Sequence, residues 1–282
     1  PTSGTVLRIE AAPTPLGRPA PAIILQTDGA DAWTHTLDPI ADWRSVDGKT
    51  LAQRVGAAGV VGMGGAGFPT QVKLSPPADK PIDTVILNGA ECEPYLTGDH
   101  RLLLEQAAAL WQGAAIIRHI LGAKTVRVAI EDNKPDAIAA MTEALPDDLG
   151  DAAVCVLKTS YPQGSEKQQI YSVTGRVVPA GGLPMDVGCV VENVGTTYAV
   201  WDAVVNGRPL TARTITVSGD AVAAPANLLA PVGTPFAALV EACGGVKETL
   251  AKVISGGPMM GFAQAGLDVA MTKTSSGLLL LS

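Results

Sequence analysis

No stretch of the sequence reaches the roughly 18 uncharged apolar residues that a bilayer-spanning helix needs, so no segment reads as a direct membrane span. Positive charge is also scarce. Lys and Arg number 20 against 27 Asp and Glu, a net charge of −7, which argues against a nonspecific nucleic-acid binder with its basic footprint. There is no CxxC pair. Cys92, Cys155, Cys189 and Cys243 stand far apart, which excludes a zinc or iron–sulfur framework built on local spacing. Isolated thiols of this kind suit a reducing compartment, where they act as small buried hydrophobes. His35, His100 and His119 are unclustered, so a histidine metal site has no support. The absence of a GxSxG string removes a nucleophile elbow. No catalytic side chain and no metal ligand is assigned.

What is present is bulk for a core and an abundance of turns. The 282 residues allow about two domains, 47% of them are hydrophobic, and 31 glycines with 21 prolines mark many tight connections. The sequence begins at Pro1 rather than Met, and the expectation is that no signal peptide precedes it. Its first ten residues read as the middle of a β-hairpin, and Ser276–Ser282 stops inside what reads as a buried strand. The expectation is an excised fragment whose function draws on parts outside it.

Short apolar runs at Gly4–Ile9 and Ala22–Gln26, broken by prolines, make residues 1–40 a β-rich piece. Asp42–Ala58 carries a helical pattern and leads into a glycine-dense loop at Gly56–Gly67. Then come strand Thr84–Asn88, a single long helix over Arg101–Leu121 stopped by Gly122, strand Thr125–Ile130, helix Lys134–Leu145 and strand Ala153–Leu157. That alternation predicts an α/β fold with a parallel sheet covered by helices. A loop at Gly175–Gly188 leads to strand Val190–Asn193 and a helix near Thr196–Val205. From Thr211 the pattern becomes a compact α+β module: strand Thr214–Ser218, loop Pro225–Ala230, short helix Pro235–Cys243 and strand Ala251–Ser255.

Four loops carry the candidate chemistry. In Gly59–Thr70, Gly62, Gly64 and Gly67 satisfy the letter of GxGxxG, yet a helix precedes the loop and Phe68-Pro69-Thr70 follows it, so the dinucleotide fingerprint fails on context. Four glycines in six residues still leave backbone N–H groups bare, able to wrap a phosphate or lie against a flat ring; the plain alternative is a turn without ligand. Asn88-Gly89-Ala90-Glu91-Cys92-Glu93-Pro94 lies where a strand ends, offering an amide and two carboxylates, or else an ordinary acidic surface loop. Ser160–Lys167 follows another strand, with Tyr161, Gly164 and Glu166 able to shape a pocket; alternatively Ser165 caps a helix whose Glu166 and Lys167 are solvated. Glu192–Thr196 ends a further strand. Polar loops at successive strand termini point to one crevice, since ligands of open α/β sheets sit outside the carboxyl ends of strands.

These loops, in this order, resemble the RnfC family, the C component of the Rnf ion-translocating electron-transport complex. The strings are GMGGAGFPTQVKL (Gly62–Leu74), NGAECEPYLTGDHRL (Asn88–Leu102), SYPQGSEKQQIYSVTGR (Ser160–Arg176), PAGGLPMDVGCVVENVGT (Pro179–Thr196) and ISGGPMMGF (Ile254–Phe262). The likeness runs along essentially the whole chain. The core is similar, more distantly, to the flavin- and NADH-binding subunit of respiratory complex I and to a cobalamin reductase. The resemblance implies a complex I flavin-subunit-like α/β domain over 41–208 and a β-grasp module of the soluble-ligand-binding type over 209–265. It further implies a partial barrel-sandwich hybrid segment over 1–40 and a C-terminal strand over 266–282 leading to a missing iron–sulfur domain. Two 4Fe–4S clusters would lie in that missing part.

Carried over residue by residue, the resemblance implies FMN lying against Gly62, Gly64, Gly65 and Gly67, with Lys73 near its phosphate or ring edge. Asn88 and Glu91 would bind polar atoms of the flavin, and Tyr161, Gly164 and Asn193 would complete the pocket. Phe68, Glu93 and Glu166 would face NADH, the substrate. Three positions depart from the relative's pattern: Ala90 stands for an Asp, Ser165 for a Glu and Glu192 for an Asn. The aromatic residues that clamp NADH there have no counterpart around Pro76 or Val178–Ala180.

The expected activity is hydride transfer from NADH to FMN, followed by single-electron release to iron–sulfur centres, the work of an NADH-dependent flavin oxidoreductase subunit of a translocase. Its expected partners are the other subunits of a membrane-bound complex and a ferredoxin-type carrier, and its expected place is the cytoplasmic face of the bacterial inner membrane. A soluble NADH-dependent corrin reductase is the second enzymatic reading. A non-catalytic docking or ligand-binding module is the rival from another class.

Overall fold

The computed structural model describes residues 2–33, 37–247 and 249–282. Among them, the chain divides into two compact units: residues 37–92 with 99–210, and residues 1–36 with 93–98 and 211–282. His35 lies outside the described residues.

In the second of these units, β1 (Gly4–Ala12) and β2 (Ala20–Thr27) form an antiparallel hairpin, Gly4 opposite Thr27 and Ala12 opposite Ala20. The Gln264 amide donates to the Pro15 carbonyl at 2.8 Å near the hairpin's turn.

The first unit is an α/β layer structure. Its elements are α1 (Gly48–Ala57), the single-turn α2 (Thr70–Lys73), β3 (Thr84–Gly89), α3 (Gly98–Glu105), α4 (Ala107–Leu121), β4 (Thr125–Glu131), α5 (Pro135–Glu143), β5 (Asp151–Leu157), α6 (Glu166–Thr174), β6 (Cys189–Asn193) and α7 (Val194–Val205). The four strands are parallel in the order β5-β4-β3-β6. Burial on both faces is why β3 reads as an uninterrupted apolar run: Val85 and Leu87 pack with α1, α4 and α7, while Ile86 packs with Ile170 of α6 on the other face. Chain order runs outward from β3 to β5, then returns to place β6 on β3's other side. That reversal opens a crevice beyond the carboxyl ends of β3 and β6, where open α/β sheets bind ligands.

One expected element is corrected. The helix expected over Arg101–Leu121 is two helices, broken at Gln106, whose φ of −127° and ψ of 25° leave the helical region. Neither glycine nor proline marks the break. The offset lets Leu103 and Leu110, on either side of it, both bury completely. Gly122 does end α4, in the left-handed conformation at φ 64°.

The remaining elements of the other unit are β7 (Ala212–Ser218), β8 (Ala226–Pro231), α8 (Phe236–Ala242), β9 (Lys252–Ser255), β10 (Phe262–Gln264) and β11 (Gly277–Leu281). They form a mixed five-stranded sheet ordered β10-β9-β11-β7-β8. The expected loop over Pro225–Ala230 is mostly strand β8, antiparallel to β7. It is an edge strand with Pro225 before its start and Pro231 at its end, so no ladder N–H is missing from its middle. The last strand, β11, is central and pairs with both β7 and β9. Phe236 of α8 fills this sheet's core with Ile215, Val217, Leu278 and Leu280.

Candidate functional site

The glycine loop joins α1 to α2 and is closed by its own backbone: Gly62 N–H donates to Phe68 C=O at 2.8 Å and Gly67 N–H to Gly62 C=O at 3.2 Å. Met63 N–H donates to the Thr196 hydroxyl at 2.9 Å, fastening the loop to the first turn of α7. The loop therefore lies at the carboxyl end of β6. Gly64, Gly65 and Ala66 face outward. Gly65 has φ +141°, which L-residues rarely adopt, and a Cβ built there would meet nothing within 4 Å. A bare main-chain surface thus borders open space.

Asn193 ties this loop to its neighbours. Its side-chain oxygen caps α7, accepting from Gly195 N–H at 2.9 Å, and its amide donates to Asp99 Oδ2 at 2.7 Å. A Cβ on Gly64 would sit 3.3 Å from the Asn193 Cβ, so loop and cap touch. At the end of β3, Asn88 donates to Gly164 C=O at 2.8 Å and accepts from the Gln169 amide at 2.7 Å. Gly164 fits against this strand end because it has no side chain; a Cβ there would lie 2.6 Å from the Ala90 carbonyl oxygen.

Glu91 is a half-buried acid at a helix start. Its two oxygens accept from Asp99 N–H and His100 N–H, each at 3.1 Å. Burial pushes its carboxyl up to about 7, with the Asp99 carboxylate adding to the rise and the two N–H bonds opposing it. An acidic surface loop this is not.

Lys73 and Glu166 meet around the free edge of the sheet. Lys73 Nζ donates to Glu166 Oε1 at 2.7 Å and also to the carbonyl of Val191 on edge strand β6. It stands 3.9 Å from Glu192 Oε1. Burial pushes the Lys73 amine down, but Glu192 and Glu166 outweigh burial and leave it raised. Ser165 occupies the N-cap of α6 without a side-chain cap bond, and Glu166 is paired rather than solvated.

The structure accordingly brings Gly62, Gly64, Gly65, Gly67, Lys73, Asn88, Glu91, Gly164, Glu166 and Asn193 into one unit around the carboxyl ends of β3 and β6. Phe68 and Tyr161 belong to the same unit and present exposed rings. Glu93 is placed in the other unit, where its carboxylate accepts from Met259 N–H at 3.0 Å and Met260 N–H at 2.7 Å. His119 Nε2 donates to the Val46 carbonyl at 2.8 Å, and the ring packs edge-on against Trp43.

Sequence reasoning passed over several residues of the crevice. Asp99, Gln169 and Thr196 hold its loops together. Glu131 and Lys134, both buried at the end of β4, pair at 3.3 Å. Glu192, noted only as a departure, is wholly buried. A lone carboxylate closing the apolar run Cys189-Val190-Val191 was the available signal.

Residues 55–202, slightly more than half of the chain, match the model of the Nuo51 FMN-binding domain. The chain belongs to the Nuo51 FMN-binding domain family. Residues 214–263 match the SLBB domain, which is the β-grasp module. The C component of the proton-translocating ferredoxin:NAD(+) oxidoreductase complex of Clostridium ljungdahlii is 49% identical over 278 residues. Its counterpart in the Na(+)-translocating complex of Acetobacterium woodii is 42% identical over 280 residues, and that of the ion-translocating oxidoreductase complex of Pseudomonas aeruginosa is 48% identical over 282. Each alignment takes in 99% of this chain, which spans 60%, 63% and 36% of those relatives' lengths respectively. The resemblance to the RnfC family is thereby borne out. Among solved structures, an NAD+-reducing [NiFe]-hydrogenase in its H2-reduced state aligns with TM-score 0.69 at 22% identity. That alignment covers 86% of this chain and 49% of the hydrogenase chain, and it bears out the fold of this Nuo51-type domain.

Proposed function

We propose that this chain is the flavin- and NADH-handling part of the C component of an ion-translocating ferredoxin:NAD oxidoreductase complex. The observation that carries the reading is the convergence of a bare glycine loop with Asn88, Gly164 and Asn193 at the reversal point of the sheet. Two features fit a flat, polar-edged group. Open space borders Gly65, and buried polar atoms at Thr70, Gln169 and Glu192 lack hydrogen-bond partners. FMN, when bound, exchanges electron pairs on one side for single electrons on the other. The chain's own share is to seat it: backbone of Gly62–Gly67 against the ring, Asn88, Glu91 and Asn193 toward polar edges, and Lys73 toward negative charge. Tyr161 and Gly164 complete the flavin pocket, and Glu166 and Phe68 are assigned to the NADH side.

The partners in this reading, the remaining subunits and a ferredoxin-type carrier, rest on the relatives' names. Its 4Fe–4S clusters outside this chain and its place at the cytoplasmic face of the membrane rest on the resemblance to the RnfC family. Among the described residues, no helix is long and apolar enough to cross a membrane.

Colour tests the flavin half. The purified chain, mixed with FMN at micromolar concentration and desalted, is expected to stay yellow; a colourless product favours the docking module. For the NADH half, Glu166→Ala is expected to slow NADH reduction of bound flavin about tenfold while FMN affinity falls less, about threefold, because Glu166 reaches the flavin side only through Lys73. Equal losses in stopped-flow reduction and in flavin affinity contradict that assignment.

A further inference from the structure

Glu192 presents an unusual condition for a carboxylate. It is wholly buried, and neither of its oxygens has a hydrogen-bond partner. The charged groups facing it are Lys73 from α2 and Glu166 from α6. Lys73 is the sole cation of the three, and its amine is already committed to Glu166 at 2.7 Å and to the Val191 carbonyl, leaving Glu192 at 3.9 Å. One positive charge is thus shared by two carboxylates. The trio carries net −1 when both are ionised, inside a region where an unsolvated charge is costly. Protonating one carboxylate restores neutrality. Glu166 is partly exposed and hydrogen-bonded, whereas Glu192 is neither, so the proton belongs on Glu192.

Position gives this a use. Glu192 directly precedes Asn193, which touches the glycine loop, at the carboxyl end of the strand bordering the crevice. We propose that Glu192 is a proton acceptor of the flavin crevice, taking up one proton as negative charge arrives there with FMN or with electrons on it. The proton comes from solvent and ends on a Glu192 carboxyl oxygen; no other bond forms or breaks and no electron moves in that step. An arriving anion competes for Lys73, which withdraws the counter-charge from Glu192 and favours its neutral form. The poise suits the task, since burial pushes the Glu192 carboxyl up to about 7, with Lys73 lowering it and Glu166 raising it. The inference rests on the flavin reading above.

Calorimetric titration of FMN into the full chain at pH 7, in buffers of different ionisation enthalpy, counts the protons taken up. The wild type is expected to take up about half a proton more than Glu192→Gln, since a group half-protonated at its pKa becomes fully protonated. Glu91, which also titrates near neutrality, contributes equally to both proteins. Binding with equal proton uptake in the two overturns the role of Glu192 alone. Failure of the wild type to bind FMN overturns the flavin reading and this inference with it. An infrared pH titration of the flavin-free protein adds an independent readout: Glu192→Gln is expected to lose a protonated-carboxyl signal titrating near neutrality. Glu166→Gln, which frees Lys73, is expected to move that signal to lower pH. A signal unchanged in both variants also overturns the proposal.

Discussion

Gly65→Val is expected to lower FMN affinity at least about 100-fold, a loss of roughly 2.7 kcal/mol in binding. Two effects act together. The left-handed φ of +141° resists any branched side chain, at a cost of about 1–3 kcal/mol, and the new methyl groups would project into the open space that the loop borders. The loop is outward-facing and closed by its own backbone bonds, so secondary structure should survive. Far-UV circular dichroism unchanged from wild type, with no flavin retained after desalting, is the expected pair of results. Gly65→Ala should fall between, because it introduces the strain with less bulk. Undiminished flavin retention in Gly65→Val would remove the glycine loop from the site.

Lys73→Met carries the largest expected effect on stability. The substitution keeps much of the side chain's volume but leaves Glu192 buried with no counter-charge and Glu166 without its 2.7 Å partner. Breaking one side of a buried pair costs on the order of 3 kcal/mol at pH 8. Its pH dependence follows from Glu192. The folded carboxyl titrates at about 7, above its ordinary value of 4.5, so the stability linked to it is fully present below about pH 4.5 and is lost as pH rises through 7. Removing Lys73 raises that carboxyl further, so the variant forgoes the ionisation that the wild type gains above 7. The loss should therefore be about 1.4 kcal/mol smaller at pH 5 than at pH 8, one pKa unit's worth. Urea denaturation at the two pH values measures it. A loss independent of pH would mean that Lys73 does not compensate Glu192.

Much of the α/β unit was legible in the chain. The strands at 84–89, 125–131 and 189–193 announce themselves as apolar runs because they are covered on both faces, and the less covered edge strand at 151–157 keeps such a run as well. The loops that follow them are polar because they lie at an opening, and their motifs named the family. Less legible was anything decided by packing between distant elements. The break at Gln106 has no local mark, and β8 looked like a loop because its prolines flank an edge strand where they do no harm. Glu93 sits two residues after Glu91, yet its carboxylate is held by backbone more than 160 positions away in the other unit. Sequence proximity put the two acids together; the fold assigns them to different bodies.

The sequence by itself determined most of the strands and helices of the α/β unit, where glycine leaves the main chain bare, and which family the chain resembles, because those properties depend on local periodicity and side-chain size. Only the tertiary structure decided that β6 returns beside β3, and with it that Lys73, Glu166 and Glu192 share one buried charge. Strand order is fixed by which apolar faces can be covered at once, a condition spread over the whole core, and the electrostatics of a carboxylate are set by neighbours that burial brings near and water no longer screens.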